Sequence, residues 1–203
     1  MAIALWTFDQ IYSYLSKYSN IRLEDIKFEK HNDELWVGWI LGKFLSSVKK
    51  NEYLLGLQIS KIDASFTLQS IPKSKIIVEA DNFDLALIGK NAIEENKIVD
   101  FKEFYRIQVK RYKRPNPSTA DCIDFIKKYI LKKYPPDRSL NFAVLIETGF
   151  KIDIATLQQF VRSSQFNFAN AWFIGYFLSG KFDPYVMPIF PDFSGIVWKP
   201  VKD

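Results

Sequence analysis

Cysteine is all but missing from this sequence: Cys122 is the only one in 203 residues. That excludes an intrachain disulfide framework and a cysteine zinc cluster, and it points to a reducing compartment, the cytoplasm. Histidine is as scarce. His31 stands alone, in the charged stretch Glu29 to Glu34, and reads as a solvated surface residue. Paired-histidine nucleases, His-rich zinc hydrolases and Ser-His-Asp triads all need an imidazole that this chain does not offer in a suitable place. Catalysis, if there is any, rests on carboxylates, amides and lysines, and so on a hard cation with oxygen ligands. Long apolar runs are also lacking. The longest, Leu35 to Val48, is interrupted by Lys43 and falls short of a bilayer span, so no membrane is expected among the partners. Met1 to Gln10 has no basic region ahead of an apolar core and no small-residue cleavage site, and does not read as a secretion signal.

What is abundant is apolar mass and positive charge. Hydrophobic residues make up 48% of the chain, with 18 Phe and 10 Tyr, enough to offset the ordering entropy of a folded domain. The net charge is +5, and the excess is clustered. Lys110 to Arg114 reads Lys-Arg-Tyr-Lys-Arg, and Lys127, Lys128, Lys132 and Lys133 follow it. Basic clusters on a basic domain suit a polyanion such as nucleic acid, DNA before RNA.

Periodicity orders the elements. Residues 4–18 carry apolar side chains at helical spacing, and a second helix is expected from Asp33 through Val48, with Glu34 in its first turn. Residues 53–62 fit helix or strand equally. Short strands are expected at Lys75 to Ala80 and Phe83 to Ile88. The clearest alternation runs from Glu103 to Tyr112, with Tyr105, Ile107 and Val109 on one face and Arg106, Gln108 and Lys110 on the other. Pro115 and Pro117 end that strand. A helix capped by Ser118 or Thr119 follows, then a strand at Leu140 to Ile146, a helix at Ile154 to Arg162, and strands at Ala169 to Leu178 and Tyr185 to Phe190. The expectation is one α/β domain over residues 1–203, a mixed β-sheet flanked by helices.

Chemistry concentrates between Ile76 and Lys110. Asp84 opens the run Asp-Leu-Ala-Leu-Ile, and Gln108-Val109-Lys110 lies in the alternating strand, Gln108 and Lys110 sharing a face. On neighbouring strands, a carboxylate, an amide oxygen and an ammonium would meet at one point, the set that metal-assisted phosphodiester hydrolysis uses. These residues and their order resemble the PD-(D/E)-x-K nuclease superfamily, the restriction-endonuclease-like proteins. Its core runs helix, three strands, helix, strand, with the acid opening the second strand and the acid-x-Lys in the third. The resemblance covers approximately residues 33–147, leaving an N-terminal helix at 4–18 and a C-terminal α/β extension at 148–203. It implies a Mg²⁺- or Mn²⁺-dependent endonuclease acting on DNA. Asp84, Gln108 and Lys110 would be catalytic; Asp84, Gln108, Glu34 from the first core helix, and Glu79 would be metal ligands; Lys110, Arg111, Lys113 and Arg114 would contact nucleic acid. Phe83 stands where the family has proline, and Gln108 where it has the second acid. The amide oxygen can ligate a hard cation but removes one negative charge, which Glu79 or Asp81 would restore.

That missing charge motivates an alternative, a degenerate nuclease fold that binds nucleic acid without cutting. The aromatic segment Phe166 to Trp198 motivates another, a protein-interaction module, homo-oligomers included. Gly38 to Lys43 has the outline of a phosphate loop with one residue too few between its glycines, and apolar helix surrounds it.

Overall fold

The computed structural model describes residues 2–11, 30–58, 75–77, 83–147, 152–176, 184–191 and 196–199. The chain divides into two compact units, Met1–Gln108 and Val109–Asp203, and the division falls inside a strand. Both are α/β.

The first unit is an antiparallel sheet with a long helix. Its strands are β1 (Ala2–Trp6), β2 (Tyr53–Gln58), β3 (Lys75–Ile77), β4 (Leu85–Gly89) and the opening of β7 (Phe104–Arg111), in the order β7-β4-β2-β1-β3. A two-stranded ribbon, β5 (Ile93–Glu94) and β6 (Lys97–Ile98), connects β4 to β7. The helix expected from Ala4 is therefore corrected. Ile3, Ala4, Leu5 and Trp6 are all buried, because β1 is held between β2 and β3 and is apolar on both faces. The helix begins only at Phe8, after Thr7, whose hydroxyl accepts from the Gln10 N–H (3.3 Å) while the Gln10 side chain accepts from the Thr7 N–H (2.9 Å), a capping box. Residues 12–29 lie outside the described set. Residues 53–58, ambiguous in sequence, form β2. The short strand at Lys75–Ile77 pairs with β1, and β4 has β2 and β7 as its neighbours.

Helix α1 spans Lys30–Lys49, starting three residues before the expected Asp33. It packs close to the sheet because it carries glycine where it touches. A Cβ on Gly38 would stand 2.5 Å from Leu55 Cδ1, and one on Gly42 would stand 1.9 Å from Phe8 Cζ. The glycine pair that outlines a phosphate loop is thus a packing surface. Register separates the two faces of the sheet. Trp6, Leu55, Leu87 and Tyr105 form one row, on the α1 side; Leu5, Gly56, Ala86 and Arg106 form another, on the opposite face. The latter face carries a core of Ile3, Leu5, Phe83, Ala86, Ile88 and Phe104.

The second unit holds the end of β7, helix α2 (Thr119–Ile126), β8 (Asp137–Glu147), helix α3 (Ile154–Ser163), β9 (Phe168–Tyr176) and β10 (Pro184–Phe190). Its sheet is mixed. β8 and β9 run parallel, β9 and β10 antiparallel, and the Tyr112 N–H at the end of β7 donates to the Leu145 carbonyl of β8 (2.9 Å). Helix α3 is the crossover between the parallel strands, as that geometry requires. Phe142, Val144, Ile146, Leu157, Phe168 and Phe173 fill the core, and Cys122 joins them, its thiol pushed up to about 12 by burial. No helix among the described residues is long and apolar enough to cross a membrane.

Helix α2 starts where the sequence places it. The Ser118 hydroxyl accepts from the Asp121 N–H (3.2 Å) and the Asp121 carboxylate accepts from the Ser118 N–H (2.9 Å), a reciprocal cap. Ser118→Ala should cost about 1 kcal/mol in a urea titration. The Ser118 bonds hold the Asp121 carboxyl below its ordinary value. A depressed folded pKa stabilises above the unfolded carboxylate range and loses that contribution as pH falls through the lower, folded value. The melting-temperature gap between wild type and Asp121→Asn should therefore close in acid and open toward neutrality.

Candidate functional site

Five polar side chains are buried among the described residues: Glu34, Asp84, Gln108, Asn141 and Gln158. Two of them serve the fold of the second unit. The Asn170 amide donates to Asn141 Oδ1 (2.7 Å), joining β9 to β8, and Gln158 Nε2 donates to the Pro188 carbonyl (2.9 Å), fixing α3 to β10. The other three lie in the first unit and are residues that the sequence singles out. Asp and Glu are rarely buried unless charge or hydrogen bonds compensate them, so two buried carboxylates in one small unit mark a specialised region.

Asp84 immediately precedes β4, and Gln108 lies in β7, the strand with which β4 pairs. The register sets Leu85 against Ile107, and the Asp84 N–H also donates to the Ile107 carbonyl (2.9 Å). Gln108 is the next residue after Ile107. It is 6% exposed and Asp84 is 8% exposed, so neither is an ordinary polar residue on a wet strand face.

Glu34 is placed differently. It is buried in the first turns of α1, which lies against the face bearing Leu55. Alternation along β7 puts Gln108 with Phe104 and Arg106 on the other face. The backbone thus gives Glu34 and Gln108 to opposite sides of the sheet. Glu79 and Asp81 lie outside the described residues. Among the described residues, no three His, Cys, Asp or Glu side chains are grouped so as to hold a metal ion.

Lys110 follows Gln108 by two residues along β7 and belongs to the second unit. Its ammonium donates to the Val109 carbonyl (3.2 Å) and stands 5.2 Å from the centre of the Tyr134 ring, with Lys133 at 5.9 Å from the same ring. To act on a phosphate it must leave that ring, a contact worth only about 0.5–1 kcal/mol where solvent reaches it.

The basic run also has a shape. Lys110, Arg111, Lys113 and Arg114 line one side of a cleft of about 520 Å³ in the second unit, and Lys128 lines the other with Phe125 and Tyr129. The sequence singles out these lysines and arginines but not the rings between them. Phe125 and Tyr129, four residues apart on a helix, look like ordinary core positions. Phe125 is one, whereas Tyr129 is 41% exposed. Between them α2 passes into a π turn, Lys127–Leu131, marked by the Lys132 N–H donating to the Lys127 carbonyl (3.0 Å). Such turns often lie at functional sites.

No family model, curated protein or solved structure matches the chain. The functional reading therefore rests on the chemistry of its own residues.

Proposed function

We propose that this chain is a metal-dependent endonuclease of the PD-(D/E)-x-K type, acting on DNA. One observation carries the reading: the carboxylate of Asp84, just before β4, and the amide of Gln108, in the strand paired with β4, are both buried. The element order supports it. Helix α1, strands β2, β4 and β7, helix α2 and strand β8 reproduce helix, three strands, helix, strand, with Asp84 opening the second strand and Gln108-x-Lys110 in the third. In this reading Tyr53–Gln58, rather than the strand near Ile76, is the first core strand.

The donors suit Mg²⁺. One carboxylate and one amide oxygen are hard ligands, and Mg²⁺ commonly takes one or two carboxylates while keeping several waters. When bound, the ion would acidify water and offset charge on the scissile phosphate. Asp84 supplies the anionic ligand. Gln108 supplies a neutral oxygen and no charge, so the site binds the cation more weakly than one with two acids. Lys110 supplies an ammonium that orients the attacking water or stabilises charge developing on phosphate.

Incubation with supercoiled plasmid in Mg²⁺, Mn²⁺ or chelator tests the proposal. Nicking that needs the cation is expected. Tight plasmid binding without nicking in either cation would replace it with a nucleic-acid-binding protein on the same fold, the reading that the neutral Gln108 favours.

The basic run supplies the affinity. Four or five neutralised phosphates imply that log affinity falls against log salt with a slope of roughly −3 to −4.5. Reversing Lys113 and Arg114 to glutamate should weaken binding alike on unrelated sequences and flatten that slope by about 1.5 or more. Affinity that does not respond to salt would remove these residues from the interface.

A further inference from the structure

The cleft in the second unit combines two kinds of wall. Arg111, Lys113 and Arg114 bring cations from the end of β7 and the turn after it, and Lys128 brings one from the π turn. The aromatic wall is graded in depth. Phe125 is buried, its ring 5.6 Å from Tyr112 and 4.9 Å from Tyr129, so it backs the other two. Tyr129 is the exposed ring, and Lys128 covers it with its ammonium 5.0 Å from the ring centre. Both acidic residues of the wall have local partners. Asp121 accepts from Ser118 in the helix cap, and Asp124 is paired with Lys127 at 3.6 Å.

Phosphate alone calls for cations and gives an aromatic face nothing to do. A duplex offers this cleft only its phosphates, since its bases are stacked on one another. A single strand offers phosphates and unstacked bases together, and rings among cations are how proteins hold single strands without reading their sequence. We propose that the cleft binds a single strand of nucleic acid, one base laid on Tyr129 and the flanking phosphates held by Arg111, Arg114 and Lys128. Lys128 exchanges the Tyr129 ring for a phosphate as the base arrives. The cleft volume of about 520 Å³ lies within the range of small-ligand sites and admits a nucleotide rather than a duplex end. A nuclease so equipped would act where DNA is already single-stranded, at a tail, flap or bubble. The inference rests on nucleic acid being the partner, and not on cleavage.

Fluorescence anisotropy of the full chain in EDTA tests it, with labelled oligothymidylate and a duplex of the same length at one salt concentration. The single strand should bind more tightly than the duplex. Tyr129→Ala should weaken single-strand binding roughly five- to a hundred-fold, the range for one lost base stack, and leave the duplex affinity within about two-fold. Tyr129→Phe, which keeps the ring, should bind as wild type does. Equal affinity for both ligands, or a Tyr129→Ala loss that is nil or the same on both, overturns the proposal and leaves the salt-dependent footprint standing. Failure of both ligands to bind at all overturns the proposal and the footprint together.

Discussion

Asp84→Ala should abolish Mg²⁺-dependent nicking, lowering it by about 10³-fold or more. A bound cation supplies several kcal/mol of stabilisation to the reacting phosphate, and each ~1.4 kcal/mol is a factor of ten. Asp84 is the anionic member of the proposed ligand pair. Binding of DNA in chelator should be unchanged, because the cations of the cleft belong to other residues. Lys110→Ala should likewise remove nicking and leave most of the affinity. Gln108→Glu separates a working ligand from a packing residue. At 6% exposure, a new carboxylate there is costly without a counter-charge, so the variant should melt below wild type in EDTA. Mg²⁺ should then raise its melting temperature more than that of wild type, since ligands of the native state stabilise it by mass action. Calorimetric Mg²⁺ affinity should rise in parallel. Unchanged nicking, Mg²⁺ affinity and melting in all three variants would mean that Asp84 and Gln108 are framework residues.

The largest loss of stability is expected at Phe142. Its ring is fully buried in β8, edge-on to Tyr134 (5.1 Å) and to Phe168 (4.8 Å). Phe142→Ala removes the ring and leaves a cavity that three packed elements cannot close, at a cost of about 3–5 kcal/mol. For a chain of this size that is roughly 10 °C in melting temperature. Because Tyr134 is also the ring on which Lys110 rests, the variant should loosen that lysine as well. Urea unfolding followed by tryptophan fluorescence would measure the change, and a loss under 1 kcal/mol would contradict the packing described.

Much of the fold was legible because two signals are strong. The alternation of Tyr105, Ile107 and Val109 marks β7, and the Ser118 cap with its prolines marks the start of α2; both lie where the sequence puts them. The N-terminus misled for a physical reason. A strand buried on both faces has no alternation, and Leu5, Phe8 and Ile11 mimic helical spacing across the junction of a strand and a helix. Thr7-x-x-Gln10 was the available clue, since a capping box fixes where a helix begins.

The site was partly legible. Asp84 and Gln108 came from order and spacing, and the strands that carry or follow them, β4 and β7, are paired. Their burial was not readable, because polar residue types give no hint of it. Nor was the place of Glu34, which depends on the face that α1 covers, something set by Gly38 against Leu55 rather than by any catalytic pattern. Tyr129 escaped because its spacing from Phe125 is that of a core pair; its exposure comes from the turn in which it sits.

That turn has a bearing on how the protein can change over generations. A π turn holds one residue more than an α-helix needs for the same span. Loss of a single codon within residues 127–131 would let the helix close in regular form with the residues beyond it kept in register, so that the change falls on the side chains inside the turn. Ile130 now faces the core and Tyr129 the cleft. Length and side-chain direction are coupled there, so an insertion or deletion of one residue alters the aromatic wall where most substitutions would leave it in place.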